Sequence, residues 1–491
     1  MKLLYLTSFA SLAAANFPWW KPLVSPQALS SRVNLHDLLH GTQHLQDLAY
    51  AYPERNRVFG GPAHMDTVNY LYHELKKTGY YHVYKQPQVH TWTKTDQNLT
   101  VNGDEVEALS MTYSPSVDTT APLVLVANLG CEESDFPADV TGKIAVIRRG
   151  DCSFGDKSAR AGNAGAAAAI VYNNVEGSLS GTLGAPSSEL GPYAPVVGIS
   201  LADGQSLVQQ MEGGTVNAHL YINSQMENRT TYNVIAQTKG GDQKNVVSLG
   251  GHTDSVEAGP GINDDGSGII SNLVIAKALT KFRVKNAVRF LFWTAEEFGL
   301  LGSEFYVSSL SDDELAKIRL YLNFDMVASP NYALFVYDGD GSSFNQTGPA
   351  GSDEIEHMFE KYFASRGLAS VPTAFDGRSD YVGFTDRGIP AGGLFTGAEG
   401  IKTEEEAKLF GGKAGVAYDA NYHAVGDTMD NLNHKAFLIN SQAIAHSVAT
   451  YARSLSSIPV RDGKVKNIPR QVTRKHRGSH GAGCFHSVLS E

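Results

Sequence analysis

Long apolar runs, cysteine and excess positive charge are all scarce in this chain of 491 residues. Beyond residue 15, no stretch reaches the ~20 apolar residues that a membrane-spanning helix needs, so we expect a soluble protein without a membrane partner. The formal net charge of −11 argues against nucleic acid as a partner, because nucleic-acid-binding surfaces are basic. No coiled-coil or repeat pattern favours assembly, and we therefore expect a monomer.

The chain has three cysteines. Cys131 and Cys152 lie close together in the sequence, and we expect them to form a disulfide in an oxidising compartment. Cys484 is left over in the C-terminal segment 461–491, which is basic and poor in apolar residues. Such a segment buries little surface, so we expect a disordered basic tail.

The N-terminus has the pattern of a secretory signal. Lys2 precedes a short apolar segment that ends in Ala13, Ala14 and Ala15. A basic start, an apolar centre and a small-residue end predict removal of residues 1–15 and secretion, with the vacuole as the alternative location. Passage through the secretory route also predicts glycosylation of three Asn-X-Thr triplets, which begin at Asn98, Asn228 and Asn345.

The length exceeds what one hydrophobic core usually fills, which predicts two domains or one large domain with an insertion. After residue 232, apolar segments with the pattern of strands alternate with helical patterns. The predicted strands are 245–249, 287–293 and 318–324, and the predicted helices are 267–282 and 300–308. This alternation predicts an α/β fold, with a mostly parallel central sheet flanked by helices.

The segment 110–229 differs from its surroundings in composition. Two short apolar strands flank the sequence "RRGDCSFGDKSARAGNAGAAAA", whose alanines and glycines let a helix pack closely. By itself the pattern also fits one more strand–helix layer of the main sheet. Residues 149–154, Lys157 and residues 164–166, however, resemble the central motif of the protease-associated (PA) domain. The resemblance implies an inserted, mainly-β domain that takes no part in catalysis and shapes access to an active site or contacts partners.

Four short segments place histidine and carboxylate side chains directly after strands or in glycine-rich turns. The segments contain His252, Asp254 and Asp264; Glu296 and Glu297; Asp325; and Tyr422, His423 and Asp427. Each segment alone has a simpler explanation, because acids cap helices and a single histidine is usually packed in a core. In a parallel sheet, however, ligands bind outside the carboxyl ends of the strands. The four segments together therefore indicate one site.

The residue types of that site indicate its metal. Histidine and carboxylate ligands without cysteine are typical of a catalytic zinc ion, which keeps one position open for water. Five ligands that include one shared carboxylate are enough for two metal ions about 3.5–4 Å apart. A single ion would not need so many ligands.

The set "HTD…GINDDGSG…AEEFGLLGS…NFDM…YH" resembles the co-catalytic zinc aminopeptidases that include vacuolar aminopeptidase Y and the secreted fungal leucine aminopeptidases. The likeness covers nearly the whole chain except the tail, and the fungal group also carries a PA insertion. It implies a catalytic domain over residues 16–109 and 230–460, with two zinc ions per chain. The implied substrates are peptides with a free N-terminus, from which leucine and other apolar residues are released.

The same resemblance assigns roles to individual residues. Each zinc ion would have one histidine and one carboxylate of its own, and a further carboxylate would bind both ions. These ligands are His252 with Asp325, His423 with Glu297, and the shared Asp264. Asp254 would accept a hydrogen bond from the second ring nitrogen of His252. Glu296 would be the general base, and Tyr422 would donate a hydrogen bond to the developing oxyanion. The segment 377–381 would line the pocket, or form a plain loop.

Three other functions fit parts of the pattern. A non-catalytic receptor with a peptidase-like fold would have lost ligands or the base, and none is missing here. A carboxypeptidase of the same fold would need cationic groups for the substrate carboxylate, for which Arg378 alone is weak support. A glutaminyl cyclase of that fold generally binds one zinc ion and lacks the insertion. The sequence therefore favours an aminopeptidase.

Overall fold

The computed structural model describes residues 21–184 and 191–461. The predicted signal segment 1–15, Cys484 and residues 462–491 of the predicted tail lie outside these ranges. Only the first residue of the predicted tail, Arg461, is described, and its Nη2 donates hydrogen bonds to the main-chain oxygens of Leu315 and Ile318. Within the described ranges, no helix is long and apolar enough to cross a membrane.

The described residues form the following α-helices and strands. The helices are α1 Pro26–Ser30, α2 Leu35–Tyr50, α3 Pro62–Lys77, α4 Phe154–Asn163, α5 Leu201–Glu212, α6 Gly266–Leu279, α7 Leu301–Ser309, α8 Asp312–Lys317, α9 Ser352–Ala364, α10 Val382–Thr385, α11 Glu404–Phe410 and α12 His434–Arg453. The strands are β1 Tyr81–Val101, β2 Asp104–Glu105, β3 Leu109–Ser110, β4 Val117–Leu125, β5 Ile144–Arg148, β6 Ala168–Tyr172, β7 Val196–Ile199, β8 Asn217–Thr238, β9 Asp242–His252, β10 Asn286–Trp293, β11 Ile318–Phe324, β12 Phe335–Tyr337, β13 Val371–Thr373 and β14 Ala391–Phe395.

The strands form one continuous sheet with a parallel centre. Its order is β13-β12-β14-β11-β9-β10-β8-β4-β5-β6-β7-β3, with β1 paired to β8 and β2 paired to β1. The central strands β14, β11, β9 and β10 are parallel to one another, whereas β8 and β12 flank them antiparallel. The predicted α/β fold is therefore confirmed. Because β9, β10 and β11 are parallel neighbours, their carboxyl ends lie side by side.

Helices cover both faces of the central sheet because its strands are apolar on both faces. Residues 287–293 of β10 are all buried. One face of the sheet packs against α2, α3, α6, α9 and α12, and the other packs against α7 and α10. The sequence of α6, GSGIISNLVIAKAL, is apolar around most of the helix, which explains why α6 is almost entirely buried. This core holds rigid the strand ends that carry the predicted ligands.

Two long antiparallel strands connect the main domain to the insertion. Strands β1 and β8 pair in one continuous register along their full length. Near the end of β1, Leu99 and Val101 pack in the core of the insertion with Leu123 and Ile144. The core of the insertion therefore begins before the predicted boundary at residue 110, and the predicted boundary at residue 229 lies inside β8.

The insertion has its own layer of parallel strands, in which β4, β5, β6 and β7 are successive neighbours. Helix α4 packs as closely as its small residues predict: a Cβ atom added at Gly162 would lie only 2.4 Å from the main-chain oxygen of Pro192. Cys131 and Cys152 form the expected disulfide, with their Cα atoms 5.7 Å apart.

Candidate active site

Three neighbouring strands of the central sheet end at predicted site residues. These residues are His252 at the end of β9, Glu296 and Glu297 after β10, and Asp325 after β11. The glycine-rich loop between β9 and α6 contributes Asp264, and the loop after α11 contributes His423. All of these side chains line one cavity. The structure therefore brings the predicted metal ligands and the predicted base together.

The predicted ligands form two groups that share Asp264. Its Oδ1 atom lies 3.0 Å from Nε2 of His252, and its Oδ2 atom lies 3.2 Å from Nε2 of His423. Asp325 Oδ1 is 3.6 Å from His252 Nε2, and Glu297 Oε2 is 3.0 Å from His423 Nε2. Each group thus combines one imidazole, one carboxylate of its own and one oxygen of the shared carboxylate.

The carboxylates of the cluster are buried without enough hydrogen-bond donors. Glu296, Glu297 and Asp325 are each at most 9% exposed. Among the described residues, Oε1 of Glu296, both carboxylate oxygens of Glu297 and Oδ1 of Asp325 have no hydrogen-bond partner. Burial raises the pKa values of Glu296 and Glu297. Burying unpaired carboxylates costs free energy that a bound divalent cation offsets. The residues present therefore fit metal ions with histidine and carboxylate ligands.

Asp254 differs in detail from its prediction. Nδ1 of His252 lies 3.2 Å from the main-chain oxygen of Asp254 but 3.7 Å from the carboxylate oxygen Oδ1, which is too far for a hydrogen bond. The carboxylate instead accepts hydrogen bonds from the main-chain N–H groups of Glu296 (3.1 Å) and Glu297 (3.3 Å). Asp254 therefore orients the imidazole through its main chain and holds the turn after β10 through its side chain.

Backbone conformation also marks the turns that carry the ligands. Ala295 (φ 53°), Met326 (φ 50°) and His423 (φ 54°) all adopt left-handed backbone although none is glycine. Such residues are uncommon, cost free energy, and cluster at functional sites where the surrounding structure holds them in place. Ala295 precedes the predicted base Glu296, Met326 follows the predicted ligand Asp325, and His423 is itself a predicted ligand.

Sequence reasoning missed Asp265, which ties three ligand segments together. Its Oδ2 accepts a hydrogen bond from the main-chain N–H of His252 (3.1 Å), and Oδ1 accepts from those of Gly268 (2.9 Å) and Met326 (3.2 Å). Through these three main-chain hydrogen bonds, Asp265 holds the end of β9, the start of α6 and the turn after β11 together. A Cβ atom at Gly268 would lie 2.1 Å from the main-chain oxygen of Phe324, so only glycine fits there. Aspartate directly before the helical GSG is an N-cap signal that could have identified Asp265.

Arg57 was also missed, although it lies under the loop that joins His252 to Asp264. Its guanidinium is completely buried. Nε donates to the main-chain oxygen of Pro260 (2.8 Å), Nη2 donates to that of Gly261 (2.5 Å), and Nη1 donates to that of Thr253. One cation thus fixes both ends of the loop, but no local pattern around Arg57 marks this role.

Further hydrogen bonds orient the carboxylate ligands. Asp427 Oδ2 accepts from the main-chain N–H of Asp264 at 3.0 Å. Ser379 Oγ donates to Asp325 Oδ2 at 2.6 Å, and Asn323 Nδ2 donates to Ser379 Oγ at 2.8 Å. These partners limit the rotation of Asp325 and the movement of the loop that carries Asp264.

Tyr422 lies beside the ligand cluster and is held by Arg378. The rings of Tyr422 and His423 stack with centroids 3.8 Å apart, and Arg378 Nη2 donates to the phenolic oxygen at 3.1 Å. Arg378 also makes two hydrogen bonds to Glu399, at 2.8 and 3.2 Å. Arg378 and Ser379 line the cavity, as predicted for segment 377–381. Because Glu399 already neutralises Arg378, this arginine is a poor anchor for a substrate carboxylate, which disfavours a carboxypeptidase.

One wall of the cavity is apolar. Beside the ligands, the cavity of about 60 Å³ is lined by Met326, Tyr337, Phe395 and Ala398. Concave sites with apolar walls and a few convergent polar groups are typical of small-molecule and substrate binding. The arrangement can thus hold an apolar group next to the predicted metal ligands and the buried carboxylate of Glu296.

Residues 233–448 match the model of peptidase family M28, and residues 119–207 match that of the PA domain. A probable leucine aminopeptidase 2 from Aspergillus fumigatus is 68% identical over 494 residues, which cover 99% of this chain and 98% of the relative. Among solved structures, an aminopeptidase from Aneurinibacillus sp. strain AM-1 is 30% identical with a TM-score of 0.70, covering 87% of this chain and 96% of the other. A zinc aminopeptidase from Bacillus subtilis is 27% identical with a TM-score of 0.63, covering 87% of this chain and 98% of the other. With this identity over nearly its whole length, the chain belongs to peptidase family M28 and carries a PA domain.

Proposed function

We propose that the ligand cluster binds two zinc ions and that the protein releases N-terminal residues one at a time from peptides, with leucine and other apolar residues preferred. The chain is a zinc-dependent aminopeptidase, as its family, its leucine aminopeptidase relative and the zinc aminopeptidase of similar structure indicate. One observation carries the proposal of two ions: the two oxygens of Asp264 face different histidines.

The two groups of ligands suit zinc because they offer imidazole and carboxylate donors without cysteine. His252 and Asp325 would hold one ion, Glu297 and His423 would hold the other, and Asp264 would bind both. When bound, such a pair lowers the pKa of a water molecule toward ~7 and polarises the scissile carbonyl group.

Glu296 is the proposed general base. Glu296 is only 2% exposed, its Oε1 has no hydrogen-bond partner in the part of the chain that the structure describes, and its Oε2 lies 4.0 Å from His252 Nε2. Asp254 fixes the main chain of Glu296, which keeps this carboxylate directed at the cluster. Glu296 would accept the proton of the attacking water and deliver it to the leaving amine.

Tyr422 is the proposed hydrogen-bond donor to the scissile carbonyl oxygen, which gains negative charge as the bond is attacked. Its ring stacks on His423, and its oxygen accepts a hydrogen bond from Arg378. Because Glu399 anchors Arg378 in turn, the phenol is held next to the ligands before the substrate arrives. A donor positioned in advance costs no reorganisation during the reaction.

The cavity explains why single N-terminal residues would be released. Its apolar wall of Met326, Tyr337 and Phe395 suits an apolar side chain such as that of leucine. The surrounding carboxylates attract a free α-ammonium group. An internal peptide segment has no such group.

The first experiment compares leucine p-nitroanilide with its N-acetylated form, with and without a zinc chelator, and measures zinc by elemental analysis. We expect cleavage of the free-amine substrate only, loss of activity on chelation, and two zinc ions per chain. Cleavage of neither substrate by fully metallated protein would favour the receptor-like alternative. One zinc ion per fully active chain would contradict the proposed shared role of Asp264.

We also propose that the protein is secreted, glycosylated and monomeric. Asn228 and Asn345 are exposed and Asn98 is partly exposed, so all three acceptor sites lie at the surface. The disulfide between Cys131 and Cys152 suits an oxidising compartment. The test is to analyse culture medium and vacuoles for the protein, its N-terminus and its glycans, and to measure its mass in solution. Recovery in vacuoles alone would contradict secretion, and a stable dimer would contradict the monomer.

A further inference from the structure

A second cavity begins at Glu297 and lies between the main domain and the insertion. Its volume is about 200 Å³, compared with about 60 Å³ for the cavity at the ligands. Glu257 and Phe298 belong to its main-domain wall, and Ser110 and Thr112 belong to its insertion wall. We call this cavity the interdomain cleft.

Two polar atoms in the interdomain cleft have no hydrogen-bond partner among the described residues. They are Oε1 of Glu257 and Oγ of Ser110, and both atoms are buried. The other carboxylate oxygen of Glu257, Oε2, lies 3.5 Å from Nζ of Lys94. Asn56 Nδ2 donates to the main-chain oxygen of Glu257 at 3.0 Å, which holds this part of the wall in place. A buried acceptor and a buried hydroxyl without partners cost free energy, which a ligand with matching groups recovers.

The part of a bound peptide that follows its first residue would extend into the same cleft. If the first side chain occupies the small cavity with the apolar wall, the rest of the peptide has to leave the metal site by another route. The interdomain cleft provides one, because Glu297 lines both cavities. Each residue of a peptide main chain carries an N–H donor and a C=O acceptor, which are the groups that Glu257 and Ser110 lack.

We propose that the interdomain cleft binds the peptide main chain on the C-terminal side of the scissile bond. Glu257 accepts a hydrogen bond from a peptide N–H group, and Ser110, from the insertion, donates one to a peptide carbonyl. Lys94 keeps the Glu257 carboxylate oriented through its other oxygen. This inference rests on the proposed aminopeptidase function and deepens it: the insertion selects peptides over single amino-acid amides.

The test compares kcat/KM for Leu-Gly-Gly-Gly with kcat/KM for leucine p-nitroanilide, in the zinc-loaded wild-type enzyme and in two variants. A change that affects only the metal site alters both values by the same factor and therefore leaves their ratio unchanged. For Glu257→Ala we expect the ratio to fall about tenfold or more, because a hydrogen bond to a charged group is worth at least that factor. For Ser110→Ala we expect a fall of a few-fold, since a neutral hydrogen bond is worth less. Glu212→Ala, an exposed site on α5, serves as the control and should leave the ratio unchanged.

A second measurement changes the substrate and compares its effect in the wild-type enzyme with its effect in Glu257→Ala. Replacing the third or the fourth residue of the tetrapeptide by N-methylglycine removes one N–H group from the substrate. We expect one of the two substitutions to lower kcat/KM in the wild-type enzyme and to have little effect in Glu257→Ala, because the acceptor is already missing there. Equal losses in both enzymes would show that the N–H group does not bind Glu257.

The outcomes separate the two proposals. An unchanged ratio in both variants, with leucine p-nitroanilide still hydrolysed, would overturn the role of the cleft and leave the aminopeptidase function standing. Failure of the wild-type enzyme to hydrolyse either substrate would overturn the proposed function, and the cleft proposal with it.

Discussion

Replacement of Arg57 by lysine tests whether a buried cation holds the loop of the metal site. The arginine donates to three main-chain oxygens, those of Thr253, Pro260 and Gly261, which lie at both ends of the loop between His252 and Asp264. Lysine keeps the charge, but its single ammonium group cannot span all three acceptors.

The expected cost follows from the number of hydrogen bonds lost. A buried hydrogen bond from a charged donor contributes about 1.5–3 kcal/mol, so the loss of two of the three lowers the free energy of unfolding by about 3–6 kcal/mol. A less constrained loop also displaces Asp264, and loss of a group that supports a metal ligand typically weakens metal binding by about 10–100-fold. Arg57→Lys should therefore lose both stability and zinc affinity.

The assay is a zinc titration of metal-free protein against a competing chelator, together with urea unfolding of the zinc-loaded and the metal-free forms. Arg148→Lys is the matched control, because Arg148 is exposed at the end of β5. If Arg57→Lys bound zinc as tightly as the control and unfolded at the same urea concentration, the hydrogen bonds of Arg57 would not support the metal site.

Three further predictions concern histidine and glutamate side chains around the site. Glu296→Gln should keep its zinc and its fold but lose about 10²–10⁴-fold in kcat/KM, because only the base is removed; hydrolysis of leucine p-nitroanilide at the wild-type rate would contradict its role. His423→Ala should lower the zinc content measured by elemental analysis, since one ion loses its only imidazole, and unchanged zinc content would refute the assignment of this ligand. Burial lowers the pKa of His64 from 6.5 to about 4, so the unfolded chain binds a proton more readily between these two values. His64 therefore leaves the free energy of unfolding undiminished above pH 6.5, and lowers it by about 3 kcal/mol as the pH falls to 4. Urea unfolding of His64→Gln should lack this loss, and parallel pH profiles for wild type and variant would contradict the prediction.

The sequence by itself determined the arrangement of the main domain and the chemical character of its site. Strands and helices alternate after residue 232, and apolar strands buried on both faces are recognisable because side-chain periodicity is a local property. His252, the pair Glu296 and Glu297, and Asp325 could be placed at strand ends for the same reason. Residue types alone then indicated a catalytic zinc site with histidine and carboxylate ligands rather than a site with cysteine ligands.

Only the tertiary structure decided which groups touch one another. The carboxylate of Asp254 turned out to face the main chain of Glu296 and Glu297 instead of the imidazole of His252. Arg57 reached the metal loop from a segment far away in the sequence. Sequence patterns report the burial and the periodicity of neighbouring residues, whereas these contacts depend on how distant segments pack.

The border between the main domain and the insertion was likewise decided by packing. Strands β1 and β8 run from one core into the other without a break in their pairing, so no change of local pattern marks the border. The interdomain cleft exists because that pairing places the insertion beside the strand end that carries Glu297. Local sequence determines where strands begin and end, but the position of two cores relative to each other depends on the register and the twist of the strands between them.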